Sequence, residues 1–445
     1  MQTTGRIILR TVRVLALLML AGCGMKTDFY REVEQNIAIR NYAVAVDRLE
    51  RSEESFGEKN EVLYNVEMGS LLHYASRFEE SNRHLLAAER KMEDLYTKSI
   101  STEAAALLLN DNLIPYEGEE FEKVLVNLYL ALNFVQMGDV EGALVEARKV
   151  DLKLNQYSRE YEGKNVYKQD AFVRYVVGVL YEAAGESNDA FISYRKAYEG
   201  YREYAGQFKT PCPSFLKADL VRLAAQLGFE DERKRFEREF SLRYSRPKKP
   251  EGSVFVVIHS GRGPIKEENK LRVSVPDKDG VLHTFVAAVP KFVSREKIQS
   301  RYDMNIGGPG GGPRRVPAEL GEYVTEIAKR SLQDRLTMIY LKAGGRALLK
   351  FLASEKAKKE WKKEGDGLGN LFKSLAVDLA VNATEAADTR TWRTLPNQMF
   401  IIRAQLPPGT YSLTFTGYNP LRDLVSQDVT IRSGKVEFRV IPDVN

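Results

Sequence analysis

Tyr175-Val176-Val177-Gly178-Val179-Leu180-Tyr181-Glu182-Ala183-Ala184-Gly185, followed by Ala190, Tyr194 and Ala197, is the stretch from which the fold of this chain is read. Its spacing is that of two antiparallel helices joined by a short turn. Gly178 and Ala190 fall where the helices cross, and a larger side chain at either would push them apart. Gly185 supplies the left-handed residue that ends the first helix. The register recurs at Ala131, Phe134, Gly138, Ala143, Ala147 and Val150, and more loosely at Gly69, Leu72, Ser81, Leu85 and Ala88. A degenerate copy runs through Val221, Ala224 and Gly228. One such hairpin is a generic element, whereas several in register make an array.

The pattern resembles the tetratricopeptide repeat. Its offsets here, 62 residues from Gly69 to Ala131 and 47 from Ala131 to Gly178, exceed the usual period of about 34. Extra helix or loop therefore lies between copies, in Ser99 to Glu120 and Leu152 to Gln169, while Asn36 to Glu54 opens the array. Repeats of this kind present a concave groove from their first helices. The groove positions are Leu125, Leu128, Leu132 and Val135 in the middle copy and Phe172, Tyr175, Val179 and Glu182 in the next. The Lys/Asn set that clamps a peptide carboxylate in some relatives is absent. An apolar groove suits a helix or an extended hydrophobic segment from a protein partner, or filling from within by the chain's own intervening helices.

The helical grammar stops at Arg246-Pro247-Lys248-Lys249-Pro250-Glu251-Gly252, a linker over residues 245–252. Beyond it, residues 253–258, 270–275, 281–289, 399–404, 410–415, 424–431 and 435–441 read as seven strands with Gly/Pro turns, which suggests a small sandwich. Two helices interrupt it, over about 317–361 and 368–385. Packing of this helical insertion on the sheet is weighed against a basic amphipathic helix lying on a membrane. The fold class expected is α+β multidomain: an all-α tetratricopeptide-like array over 28–244, then a β-sandwich-like domain over 253–445 with a helical insertion at about 317–385.

At the other end, Arg6, Arg10 and Arg13 precede the apolar run Val14 to Leu20, and Leu20-Ala21-Gly22 leads into Cys23. The run is far short of the ~20 apolar residues of a membrane span, so residues 1–22 read as a signal peptide. The ending resembles a bacterial lipobox. That resemblance implies acylation of Cys23, a lipidated tether over 23–27, and, with Gly24 rather than Asp, an outer-membrane location facing the periplasm. Removing the three signal arginines takes the formal charge from +5 to +2 (5 minus 3), too near neutral to argue for nucleic acid. Of two cysteines, Cys23 belongs to the anchor and Cys212 is left without a partner, as a tolerated loop residue.

Catalytic signals are sparse, and no cofactor is expected. The glycine-rich run at 307–312 is broken by Pro309 and followed by Pro313, with no Lys-Ser or Lys-Thr, so it reads as a flexible loop rather than a phosphate cradle. The four histidines, His73, His84, His259 and His283, form no zinc pattern, so no metal is expected. No G-x-S-x-G elbow occurs. The densest stretch is Thr384 to Pro396, which gathers Asp388, Arg390, Trp392 and Arg393. It reads either as a recognition patch, since Arg and Trp dominate interface hot spots, or as a seam in which Trp392 plugs the gap between helices and sheet and Asp388 pairs with an arginine.

With the repeats and the lipobox, residues 384–396 resemble an uncharacterised family of bacterial tetratricopeptide-repeat-containing outer-membrane lipoproteins, and the resemblance covers most of the mature chain. Its members are encoded beside other small outer-membrane lipoproteins, one of them resembling an activator of peptidoglycan synthases, which implies an envelope role. The expectation is a non-enzymatic, lipid-anchored scaffold that binds other envelope proteins through its repeats. The alternatives are a structural part of a secretion or surface assembly, or an enzyme with Asp388 as general base.

Overall fold

The structure, a computed structural model, describes residues 28–106, 114–160, 170–247, 249–276, 282–295, 301–309, 314–337, 339–340, 386–418 and 420–445. Cys23 and the signal lie outside the described residues, as do 310–313 of the glycine-rich run and 341–385, which include the second helix expected in the insertion.

Among the described residues of the N-terminal part, ten α-helices follow one another in pairs: α1 (Phe29–Ala38) with α2 (Tyr42–Glu50), α3 (Glu61–Tyr74) with α4 (Phe78–Ala106), α5 (Glu120–Gln136) with α6 (Val140–Glu160), α7 (Ala171–Ala184) with α8 (Ser187–Gln207), and α9 (Ser214–Gln226) with α10 (Glu230–Phe240). One turn builds every pair. Arg40, Ser76, Gly138, Gly185 and Gly228 all have φ between +58° and +86°, and each precedes the second helix by two residues. The following amide reaches back five residues to the first helix: Asn41 to Asn36, Arg77 to Leu72, Asp139 to Phe134, Glu186 to Tyr181 and Phe229 to Ala224, each at 2.9 Å. This is the Schellman closure that a left-handed residue permits.

The helix crossings show why small residues recur. A Cβ on Gly178 would lie 2.5 Å from the Tyr194 ring, and one on Gly69 would lie 2.6 Å from Leu85. The long offsets between copies are taken up largely by longer second helices, α4 having 29 residues and α6 having 21.

The C-terminal part holds ten strands among the described residues: β1 (Gly252–Arg262), β2 (Ile265–Pro276), β3 (Leu282–Val293), β4 (Arg301–Gly307), β5 (Arg314–Pro317), β6 (Glu319–Glu322), β7 (Pro396–Leu406), β8 (Gly409–Tyr418), β9 (Arg422–Ile431) and β10 (Val436–Asp443). Two four-stranded sheets, β10-β1-β7-β6 and β5-β4-β8-β9, face each other. Between them lies a core of Val254, Val256, Ile258, Phe400, Ile402, Met304, Leu413 and Phe415, which makes the sandwich. β1 and β10 run parallel, and β1 and β7 antiparallel.

Three points differ from the expected topology. β2 and β3 pair only with each other, as a separate ribbon. β4, β5 and β6 were not legible as strands. Residues 317–323 are not helical: β6 pairs with β7 there, Gly321 abuts Phe172 too closely for any Cβ, and helix begins at residue 324. That helix, over 324–337, buries Val324, Ile327, Ala328 and Leu332 in the core shared with the array. Among the described residues no helix is long and apolar enough to cross a membrane.

The alternating side chains of β1 and β7 explain how the modules join. Even-numbered residues fill the sandwich, while Phe255, Val257, Met399 and Ile401 enter the helical core. The result is three layers, helices on sheet on sheet, with the middle sheet covered on both faces.

Ser76, which is exposed, carries a left-handed conformation that costs a non-glycine residue roughly 1–2 kcal/mol. Ser76→Gly is expected to stabilise the protein by about 1 kcal/mol, read as a higher urea midpoint at unchanged slope.

Candidate functional site

The residues singled out in the sequence converge on the face where the array meets the sheet. Leu125, Leu128, Leu132 and Val179 are buried in one apolar cluster with Phe255, Val257, Met399 and Ile401 of the sheet. The Phe172 ring lies against Gly321, and the Tyr175 ring meets Phe255 edge-on at 5.6 Å between centroids. Tyr201 donates to the Gly321 carbonyl at 2.8 Å and Gln136 to the Phe438 carbonyl at 3.1 Å. The groove is thus occupied, by the chain's own sheet rather than by intervening helices: Leu125, Leu128, Leu132, Phe172, Tyr175 and Val179 present no free surface to a partner in this structure, and Val135 is half-buried against the same core.

Glu182 closes one end of that interface. Arg403 of β7 donates to Glu182 at 2.9 Å and to the Tyr194 hydroxyl at 2.9 Å, and it pairs with Asp219 at 2.9 Å. Burial alone would raise the Glu182 carboxyl, but the Arg403 and Arg222 guanidiniums hold it well below the usual range.

At the other end, residues 386–395 cross the array as an extended strap, and two buried glutamates hold its backbone. Glu67 of α3 accepts the Arg393 amide at 2.8 Å, the Thr394 amide at 3.0 Å and the Tyr30 hydroxyl at 3.0 Å. Glu122 of α5 accepts the Trp392 amide at 2.9 Å, the Thr391 hydroxyl at 3.2 Å and the Tyr116 hydroxyl. Burial raises both carboxyls above the ordinary range, against the pull of these donors.

Trp392 is 1% exposed, rests on the Tyr129 ring at 5.5 Å, and donates through Nε1 to Ser70 at 3.0 Å and Thr394 at 3.1 Å. The Thr394 carbonyl accepts from Tyr74 at 2.9 Å. Asp388 takes three bonds from Arg390, at 3.0 Å from its amide and at 2.9 and 2.7 Å from its guanidinium. Arg390 reaches on to the Ile114 carbonyl and Asn60. Burial opposes ionisation of Asp388, yet Arg390 and then Lys266 bring its carboxyl below the ordinary value. Arg393 lies over the Tyr30 ring at 4.2 Å and pairs with Glu34 at 2.6 Å. Each of the four strap residues is therefore spent on a contact to the helices or within the strap.

Sequence reasoning singled out Glu182 but missed Glu67 and Glu122, and it missed a histidine pair. His73 of α3 and His259 of β1 stack at 5.2 Å with planes 27° apart, enclosed by Tyr74, Tyr129 and Phe78. His73 Nδ1 meets Asn133 at 2.5 Å, while its Nε2 and both His259 nitrogens lack partners among the described residues. Burial pushes His73 down to about 4, and burial with the His73 neighbour pushes His259 well below its ordinary value. Cys212 is a half-buried free thiol pushed up to about 12 by burial. Among the described residues no group of His, Cys, Asp and Glu is placed to hold a metal.

Fold and interface together define a helical-repeat protein whose array is closed by its own β-sandwich. No protein-family model matches the sequence, and no curated protein matches it. Among solved structures, the apo form of RapI aligns over 47% of this chain and 51% of that one, with a TM-score of 0.35 and 12% identity. A Rap protein complexed with competence and sporulation factor aligns over 47% and 51%, with a TM-score of 0.29 and 16% identity. The chain therefore spans about half the length of each.

Two outcomes test the interface. Glu67→Leu leaves two strap amides and the Tyr30 hydroxyl without their acceptor, with an expected loss of about 3 kcal/mol or more in urea unfolding. A loss below about 1 kcal/mol would show that packing alone holds the strap. The histidines act through pH. Because they are neutral in the fold and bind protons when unfolded, stability is intact above about pH 6.5 and falls as pH drops below it. His259→Phe is therefore expected to flatten the decline between pH 6.5 and 5, leaving the part due to His73.

Proposed function

We propose that this chain is a non-enzymatic scaffold of the bacterial envelope, anchored to the outer membrane through lipid on Cys23 and facing the periplasm. The filling of the array's groove by the chain's own sheet and strap supports this reading most. Groups that resembled a site in the sequence, Asp388, Arg390, Trp392 and Arg393, serve as fastenings between modules. An Asp388 carboxylate wrapped by Arg390 is poorly suited to proton abstraction, because the guanidinium stabilises the form that holds no proton.

A protein partner from the envelope then meets the outside of the array. The second helices carry exposed apolar residues there: Val145 and Leu152 on α6 and Ile192 on α8 are 50%, 66% and 48% exposed. Val145 and Ile192 each lie seven residues past the turn glycine of their hairpin, Gly138 and Gly185, so the feature repeats with the array.

In-cell photocrosslinking from positions 145, 192 and 175, with mass spectrometry of the products, tests the reading. One envelope protein captured from 145 and 192, with none from the buried position 175, is the expected result. Capture from 175 alone would overturn the closed array. In parallel, Cys23→Ser is expected to abolish incorporation of labelled palmitate, and labelling that persists would remove the anchor from the proposal.

A further inference from the structure

Three guanidiniums gather at the start of the array around one carboxylate. Arg295 and Arg393 both donate to Glu34 of α1, at 3.0 and 2.6 Å. Arg262, at the end of β1, is near enough to Arg295 that their like charges oppose one another. Arg295 also donates to the Gly263 carbonyl at 2.6 Å and to the Arg393 carbonyl. Burial, reinforced by Arg393 and Arg262 and opposed by Glu34, pushes the Arg295 guanidinium down to about 10.

A cleft of about 480 Å³ opens beside this cluster, lined by Asp28, Tyr30, Arg31, Glu34, Arg262 and Arg393. Arg295 lies behind the wall within electrostatic reach of Glu67, so four arginines stand among Asp28, Glu34 and Glu67 around a space large enough for a small ligand. Guanidiniums lining one cleft favour a planar or tetrahedral oxyanion that accepts several N–H bonds at once.

We propose that this cleft binds a phosphate ester, with Arg31 and Arg262 as direct donors and Arg393 held in place by Glu34 and Tyr30. The source is either a phospholipid headgroup or a free phosphate ester. The membrane source rests on the anchored reading above. Cys23 lies five positions before Asp28, so an extended chain allows at most about 17 Å between an acylated Cys23 and the cleft's rim.

The test uses the full chain carrying Cys23→Ser, so that no acyl chain contributes. Isothermal titration with glycerol 3-phosphate is expected to show binding, weakened at least about tenfold in Arg31→Gln and in Arg262→Gln. Arg31 is exposed, so its variant keeps the unliganded melting temperature and separates lost binding from lost fold. Flotation with phosphatidylglycerol and phosphatidylcholine vesicles, compared between wild type and variants, assigns the source. Any contribution of residues 1–22 is common to all and cancels. Vesicle binding that both variants lose identifies the headgroup. Binding of glycerol 3-phosphate with no difference between variants on vesicles identifies a free ester. No binding of the ester, or equal binding by wild type and both variants, overturns the proposal. Palmitate labelling of the wild-type chain fails or succeeds independently, so loss of the anchor and loss of the cleft are distinguishable.

Discussion

Buried and half-buried carboxylates on the first helices of the array hold the C-terminal module in place, and the architecture depends on that fastening. Glu34, Glu67, Glu122, Glu182 and Asp219 sit one to a hairpin, on α1, α3, α5, α7 and α9. Opposite them stand Arg295 and Arg393, the strap amides of residues 392–394, and Arg403. An ionised carboxylate taken out of water is costly unless its lone pairs are filled. Here tyrosine hydroxyls of the array itself fill some of them, while the strap amides and the guanidiniums of Arg295, Arg393 and Arg403 come from the distant C-terminal module. The polar pairs fix register, while the apolar faces of β1 and β7 supply the area removed from water.

Much of the array was legible because its physics is local. A glycine at a helix crossing, a left-handed turn residue and an aromatic one turn away act within about thirty residues, so spacing alone reveals them. Arg40 and Ser76 escaped because a left-handed turn was expected to be marked by glycine, whereas the same Schellman bonds form there at the cost of some strain. β5 and β6 escaped because four residues each, containing Arg314, Arg315, Glu319 and Glu322, show no alternation to count. Their partners β4 and β7 define them, and such pairing is not local.

The site was half legible. Asp388, Arg390, Trp392 and Arg393 stood out because such residues are conspicuous where a turn would suffice. Glu67 and Glu122 did not, since a glutamate in a glutamate-rich helical region carries no signal by itself. A signal was nonetheless present in the helices around them. In α3 every residue from Val62 to Tyr74 is buried, and in α7 every residue from Ala171 to Tyr181. A helix with apolar residues on every side is a covered helix, not one wall of an open groove, and the few polar groups within it need buried partners. Glu67 between Val66 and Met68 was then the acid that needed a buried donor. The run Ser253 to Ile258 likewise lacks the alternation of a half-exposed strand and belongs to a sheet covered on both faces.

Closing a repeat array with its own sheet changes what the array can be used for. An open solenoid offers its concave side and flexes between neighbouring hairpins. Here α1 is tied through Glu34 to the strap and to Arg295, α3 and α5 to the strap, and α7 and α9 to Arg403. Bending the array would therefore stretch contacts to a two-sheet body that resists bending. The hairpins are held at fixed spacing, so features repeated on their outer faces keep fixed separations as well. Val145 and Ile192, at equivalent places in successive hairpins, are two points on such a ruler. A rigid body with regularly spaced outer contacts suits a part that sets distances between other components, and it needs no mobile groove to do so.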